Sequence, residues 1–406
     1  MQSYWLTNVR LETGAYTDAE GYGHTQTDLF DLKIENGKIT EQVNSAQANH
    51  DDTLEKIDAN GKLAVPAFKE MHNHLDKTYL SLPWRSTKLT DNLKDKLHNE
   101  AMELVEISPT TKQRASAMID LLLSHGATHI RTHVNIDDYI GLKNLEGVLA
   151  ALEEYKGIVT HEVIAFPQHG LLTGNVPKLM REAMRNGATM VGGLDPAGID
   201  GAIEKSLDLV MDIAAEFDAD IDVHIHDHGH VGWYTIDKWI DMIEDAGWKG
   251  RCAVSHGFSL GGIPEALQHE AAKRLKSQEV SIMSNTGLAR VLPPFDILDS
   301  YGVPIHFGFD GFYDSWSSLG SGDLLEKVRN HCIMNRKIDE HSIRKSLKFI
   351  TKGITPLNDE GKKVWPQNGD AADFVFSDAS CSAELIARLP KERTVMVAGK
   401  VVIGEL

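Results

Sequence analysis

The sequence predicts an α/β protein: a (β/α)8 TIM barrel with a small β-sandwich domain formed from both termini. Three observations predict it. Short, apolar, β-branched runs alternate with helical patterns through the middle of the chain, eight times over roughly 290 residues, the size of such a barrel with insertions. Each run is nearly continuous in apolar character until its C-terminal end, as expected of parallel strands covered on both faces. The two ends of the chain have a different texture, with short strands and tight turns.

At the N-terminus, Tyr4–Leu11 reads as a strand and Asp31–Glu35 as a second. The turn Asn36-Gly37 then leads into Lys38–Gln42, a strong short-range hairpin signal. Asn60-Gly61 opens the run Lys62–Phe68. At the C-terminus, Ala372–Phe376 and Thr394–Val402, the latter carrying a Gly399-Lys400 turn, repeat the pattern. The expected division is therefore 1–62 with 356–406 as the small β domain, and 63–355 as the barrel. The barrel strands are expected at Val65–His74, Thr128–Ile136, Ile158–Gln168, Met190–Asp195, Ile221–Asp227, Cys252–His256, Val280–Asn285 and Val303–Asp310. Helical patterns lie between most of them, at Leu142–Lys156, Val176–Asn186, Ala202–Phe217, Thr235–Ala246 and Pro264–Lys276. The longest insertion follows the first strand and reads as helical over Thr90–Val105 and Pro109–His125. A doubly wound open sheet is the rival architecture, and the eight-fold count favours the barrel.

Composition narrows the function. The 406 residues carry 41 Lys+Arg against 59 Asp+Glu, a formal net charge of −18. That balance disfavours nucleic acid or an anionic membrane surface as partner, because both attract positive patches. No apolar run approaches the ~20 residues of a membrane span, and the first residues lack the pattern of a signal peptide, so a cytoplasmic enzyme is expected. The three cysteines are scattered, whereas histidines number 19. A disulfide framework or a thiolate zinc site is therefore not expected.

In a barrel, catalytic residues gather at the C-terminal ends of the strands. Here those ends carry His72-Asn73-His74, Arg131-Thr132-His133, Gln168-His169, Asp195, His224 to His228, Ser255-His256, Asn285 and Asp310. His72 and His74, two apart on a strand, project to one face. Three or four imidazoles and a carboxylate at the same end of different strands suit one Zn2+ or Fe2+ ion with a position open for water. The fourth strand offers no lysine to bridge a second metal, so one ion is expected. Lys77 can project a cation over the mouth, Gln168 can read a ring amide, and His226 points the same way as His224. Asp227 is either a loop residue at the mouth or a structural cap. Histidines 125, 129, 161, 306, 331 and 341 lack this placement and read as ordinary ones.

The segments Phe68–Thr78, Arg131–Val134, Ala165–Gln168, Val254–His256 and Gly308–Asp310 resemble the cytosine deaminase branch of the amidohydrolase superfamily, in order over nearly the whole chain. The resemblance implies His72, His74, His224 and Asp310 as metal ligands, and His256 and Asp227 beside Asp310 as catalytic groups. It implies Lys77, Gln168, Asp195 and His226 as contacts to the substrate. One departure bears on specificity: cytosine deaminases have a glutamate where this chain has Asp227, one methylene shorter and preceded by His226. The implied reaction is hydrolytic deamination or dealkylamination of a pyrimidine- or triazine-type heterocycle by metal-activated water. A ring-opening amidase or an N-deacylase would use the same ligands, and a non-catalytic metal-binding barrel is the rival of another class. A homo-oligomer is expected on general grounds.

Overall fold

The computed structural model describes residues 3–50, 53–107, 110–287 and 290–406. It separates into two compact units: Met1–Lys69 with Leu121–Thr128 and Gly322–Leu406, and Glu70–Asp120 with His129–Ser321.

The terminal unit is the expected β-sandwich domain. Its strands follow the order Lys400–Ile403, Thr394–Val397, Phe374–Ser377, Leu63–Pro66, Ser3–Thr17, Gly23–Glu35 and Lys38–Asn44, and Glu55–Asp58 also pairs with Ser3–Thr17. The Asn36-Gly37 turn has both residues at positive φ (53° and 78°), as a two-residue hairpin turn with the right twist requires. Leu6, Val9, Leu11, Leu32 and Ile34 pack with Phe374, Phe376 and Met396 into one buried cluster.

Two boundaries differ from expectation. The run expected at Val65–His74 is two strands: Leu63–Pro66 lies antiparallel to Phe374–Ser377 in the terminal sheet, and Phe68–Asn73 begins the barrel. Pro66 lacks the N–H that would carry one ladder through both. Residues 322–355 group with the terminal unit instead of the barrel. Within it, Arg393 makes a bidentate pair with Asp323, at 2.8 and 2.7 Å, and Asp323 also caps the helix Leu324–Met334.

The barrel strands are β1 (Phe68–Asn73), β2 (Ala127–Asn135), β3 (Thr160–Phe166), β4 (Met190–Leu194), β5 (Asp220–Ile225), β6 (Cys252–His256), β7 (Ser281–Ser284) and β8 (Ile305–Phe307), all in the second unit except the first two residues of β1 and of β2. They are neighbours in chain order, and the pairs from β2 onward are parallel. Helices at Lys143–Glu154, Val176–Arg185, Ile203–Phe217 and Glu265–Ser277 fall within two residues of where the patterns put them, and the one expected at Thr235–Ala246 starts earlier, at Gly229. The insertion after β1 forms helices α1 (Leu93–Glu106) and α2 (Thr111–Ser124). The expected start of the second at Pro109 lies outside the described residues.

The barrel closes between its first and last strands. The N–H of Asp310 donates to the carbonyl of His72 at 2.7 Å, and Asn73 and Asp310 form a parallel bridge. Gly308 makes this approach possible: a Cβ there would lie 2.2 Å from Glu70 Oε1 and within 2.6 Å of the His72 backbone. No neighbour can yield, because the obstruction is largely main chain. Gly308→Ala should therefore open the seam and cost about 1–3 kcal/mol. Thermal unfolding followed by circular dichroism should show a clearly lower midpoint, and an unchanged one would mean the seam accommodates a side chain.

Candidate active site

Five side chains from four places in the barrel converge on one point. His72 from β1 and His74 just beyond it bring Nε2 to 3.4 and 3.1 Å from Asp310 Oδ1. His256, the last residue of β6, has Nε2 3.7 Å from Asp310 Oδ2. His224 of β5 completes the group: one donor atom each from His72, His224, His256 and Asp310 all lie within 4.8 Å of one another. His256 and Asp310 both adopt left-handed backbone, with φ of 67° and 65°, where the chain leaves its strand.

Burial keeps three of these imidazoles, His74, His224 and His256, neutral. Burial holds His224 and His256 far below the ordinary histidine range; His133 and His72 add to the fall at His224, and His226 adds to it at His256. His74 is pushed down to about 4 by burial and then by Lys77. Burial alone would raise Asp310, but contacts from His72 and His74 hold it well below the usual carboxylate range. The result is an ionised carboxylate among imidazoles with free lone pairs.

The tautomer of His72 follows from its hydrogen bonds. Ser255 Oγ donates to Asp222 Oδ1 at 2.6 Å, so its oxygen accepts from His72 Nδ1, 2.9 Å away. The proton therefore sits on Nδ1 and the Nε2 lone pair faces the cluster. Asp222 is held in turn by Arg131, which also pairs with Glu162 at 2.6 Å. Outer hydrogen bonds of this kind orient metal-binding imidazoles.

The residues present fit a divalent cation. Both ring nitrogens of His224 and of His256, and Nδ1 of His74, are buried without hydrogen-bond partners. Each such orphan costs about 1–3 kcal/mol, a large sum to find in one place unless something else engages them. Three imidazoles and a carboxylate are a donor set suited to Zn2+ or Fe2+. The four-donor grouping includes His256 in place of the expected His74, although His74 also touches Asp310.

A cavity of about 310 Å3 opens beside this cluster. Lys77, Gln168, Asp195, His226, His256 and Asp310, all expected at the site, line it. Lys77 Nζ is 3.5 Å from Gln168 Oε1. Asp195 grips His226 twice, accepting from its backbone N–H at 2.6 Å and lying 2.9 Å from its Nδ1. Burial opposes charge on His226, but Asp195 more than offsets this and raises its pKa. Asp227 is not brought into the cavity. The chain turns there toward the helix Gly229–Ala246, and the Asp227 carboxylate accepts the N–H of Gly198 at 3.2 Å instead.

Other residues of the site were not anticipated. His133, noted at a strand end without a role, is buried with neither ring nitrogen hydrogen-bonded, its ring 4.3 Å from that of His224. Leu93 and Leu97 of α1, with Phe166, Leu194, Ile199 and Phe258, supply an apolar wall. Trp316, on the loop after β8, lies 5.5 Å from Lys77 Nζ and also lines the cavity. Nearby Asp314 is fully buried, and burial lifts it to about 7 against the pull of Lys77. Glu100 of α1 is buried against Lys77. A signal for Glu100 existed: it falls inside the stripe Leu97, Ala101, Leu104, where a carboxylate is out of place.

The profile of the amidohydrolase family matches residues 55–403. The uncharacterized protein YahJ of Escherichia coli (strain K12) is 38% identical over 406 residues, spanning 99% of this chain and 88% of YahJ. The crystal structure of N-isopropylammelide isopropylaminohydrolase from Burkholderia multivorans superposes with a TM-score of 0.88 at 27% identity, covering 100% of this chain and 99% of that one. A 5-methylcytosine deaminase from Klebsiella pneumoniae shares the fold, with a TM-score of 0.80 at 23% identity over 99% and 98% of the two chains. With the family profile spanning most of its length, the chain belongs to the amidohydrolase family, as a hydrolase acting on carbon–nitrogen bonds other than peptide bonds.

Proposed function

We propose that the protein removes an amino or alkylamino group from a nitrogen heterocycle of pyrimidine or triazine type by hydrolysis, and that it needs one divalent cation, Zn2+ or Fe2+. The observation that carries this reading is the pairing of an unsatisfied donor cluster with a cavity whose polar contacts suit a flat ring. His72, His224 and Asp310, joined by His74 or His256, would hold the cation. Bound there, it would lower the pKa of a coordinated water from about 15.7 toward 7 and polarise the carbon under attack.

The protein's own groups do the rest. Asp310 is ionised and accepts a proton from the attacking water as general base. His256 adjoins Asp310, where it orients the nucleophile and supports developing oxyanion charge. With Nδ1 engaged by Asp195, His226 offers Nε2 to protonate the departing amine. Lys77 and Gln168 hold the polar edge of the ring, Lys77 by charge on an oxygen or anionic nitrogen. Leu93, Leu97, Phe166 and Phe258 exclude water from its faces. Asp227, occupied by Gly198, takes no part. The homology to an isopropylaminohydrolase supports an alkylamine as one leaving group, and the apolar wall gives it a place.

The deciding experiment joins metal analysis to an amine-release screen over cytosine, isocytosine, oxidised pyrimidines and amino-triazines. Ammonia or alkylamine should appear with the ring intact, stop after chelation and resume when Zn2+ or Fe2+ is restored. Loss of the ring chromophore without amine release would identify a ring-opening amidase instead, and turnover surviving complete metal removal would refute the cation.

Two substitutions test the roles assigned. Asp310→Asn should lower kcat by about 10²–10⁴-fold while the melting temperature stays within a few degrees; near-wild-type turnover would remove it as base. Lys77→Ala should reduce kcat/KM by about 10- to 100-fold, the equivalent of one charge-assisted hydrogen bond. An unchanged kcat/KM would take Lys77 out of the recognition of the ring.

A further inference from the structure

Lys77 is a buried cation, and what holds it there comes from the helix inserted after β1. Burial works against its charge, but Glu100, Asp314, Asp76 and Asp310 together reverse that and raise its pKa. Glu100 is the largest of these influences and the only one on α1, with Oε2 3.6 Å from Lys77 Nζ.

The Glu100 carboxylate also gathers the surrounding elements. Asn135, at the end of β2, donates to Oε1 at 2.8 Å. On the loop after β8, Trp316 Nε1 and Ser315 Oγ both donate to Oε2, the serine at 3.3 Å. One fully buried side chain thus joins the insertion, the second strand, the last loop and Lys77. Burial opposes its ionisation, yet Lys77, Trp316 and Asn135 keep it ionised below the ordinary range.

We propose that Glu100 is a positioning residue for ring recognition: from α1 it supplies the counter-charge that keeps the Lys77 ammonium beside Gln168 at the cavity, and it clamps Trp316 over the same wall. The inserted helix is then part of the recognition apparatus, because it contributes Leu93 and Leu97 to the cavity and Glu100 beneath it. The proposal rests on the reading of Lys77 as the group that meets the polar edge of the substrate.

A chemical test separates the two. Reductive methylation of the zinc-loaded protein with formaldehyde and a borohydride reagent at pH 8, quantified by mass spectrometry, reports the free-amine fraction of each lysine. Glu100→Gln should raise the modification rate of Lys77 about tenfold, the effect of one pKa unit on that fraction, with the exposed Lys94 on the same helix unchanged. Glu100→Asp, which retains the charge, should restore most of the protection and serves if the glutamine variant folds poorly. Once the screen has provided a substrate, Glu100→Gln should raise KM more than it lowers kcat. An unaltered Lys77 rate in Glu100→Gln would overturn the proposal, as would an equal rise at Lys94, which would mean general loosening of α1. Failure of the amine-release screen would refute the proposed reaction and leave the labelling result standing.

Discussion

The seam between β8 and β1 is the constraint on which the site depends. A barrel of eight parallel strands must join its first strand to its last, and here the join is the hydrogen bond from the Asp310 N–H to the His72 carbonyl. That contact brings together residues 238 positions apart in the chain and delivers the Asp310 carboxylate to Nε2 of His72 and His74. His224 and His256, on neighbouring strands β5 and β6, face the same point from across the barrel. The absence of a side chain at Gly308 is as much a part of this arrangement as the imidazoles are.

Around the donors, the barrel interior gives up apolar packing for a charged layer. The chain from His72 through Ser255 and Asp222 to Arg131 and Glu162 fills space that bulky aliphatic residues occupy in most barrels. Buried charge is tolerated only when paired and hydrogen-bonded, and Arg131 meets that condition by bridging two carboxylates. What this layer secures is orientation: the ring of His72 is fixed in one tautomer before any ligand arrives.

Most of this architecture is legible in the sequence, for physical reasons. Strands of a covered parallel sheet must be apolar almost throughout, so polar residues at their C-terminal ends stand out, and His72, His74, His224, His256 and Asp310 were visible that way. Residues that act through tertiary packing were not. Glu100 is legible only as an acid out of place in the stripe Leu97, Ala101 and Leu104, and the sequence does not reveal what it holds. Trp316 lies on a loop whose path depends on Asp314 accepting the N–H groups of Trp316 and Ser317. Asp227 was expected at the mouth through the resemblance, and nothing in its local sequence shows the turn that hands its carboxylate to Gly198. The antiparallel pairing of Leu63–Pro66 with Phe374–Ser377 is likewise invisible from that run alone.

The left-handed backbone at Asp195, His256 and Asp310, with φ of 38°, 67° and 65°, has a consequence for how this protein can change. Conformations of this kind cost roughly 1–3 kcal/mol each in residues other than glycine. Selection for heat resistance alone would therefore favour glycine at all three positions and would dismantle the site while improving the scaffold. Durability and chemistry pull these positions in opposite directions, so a hardened variant that keeps its function has to draw its extra stability from elsewhere, such as the terminal sheet or the outer helices.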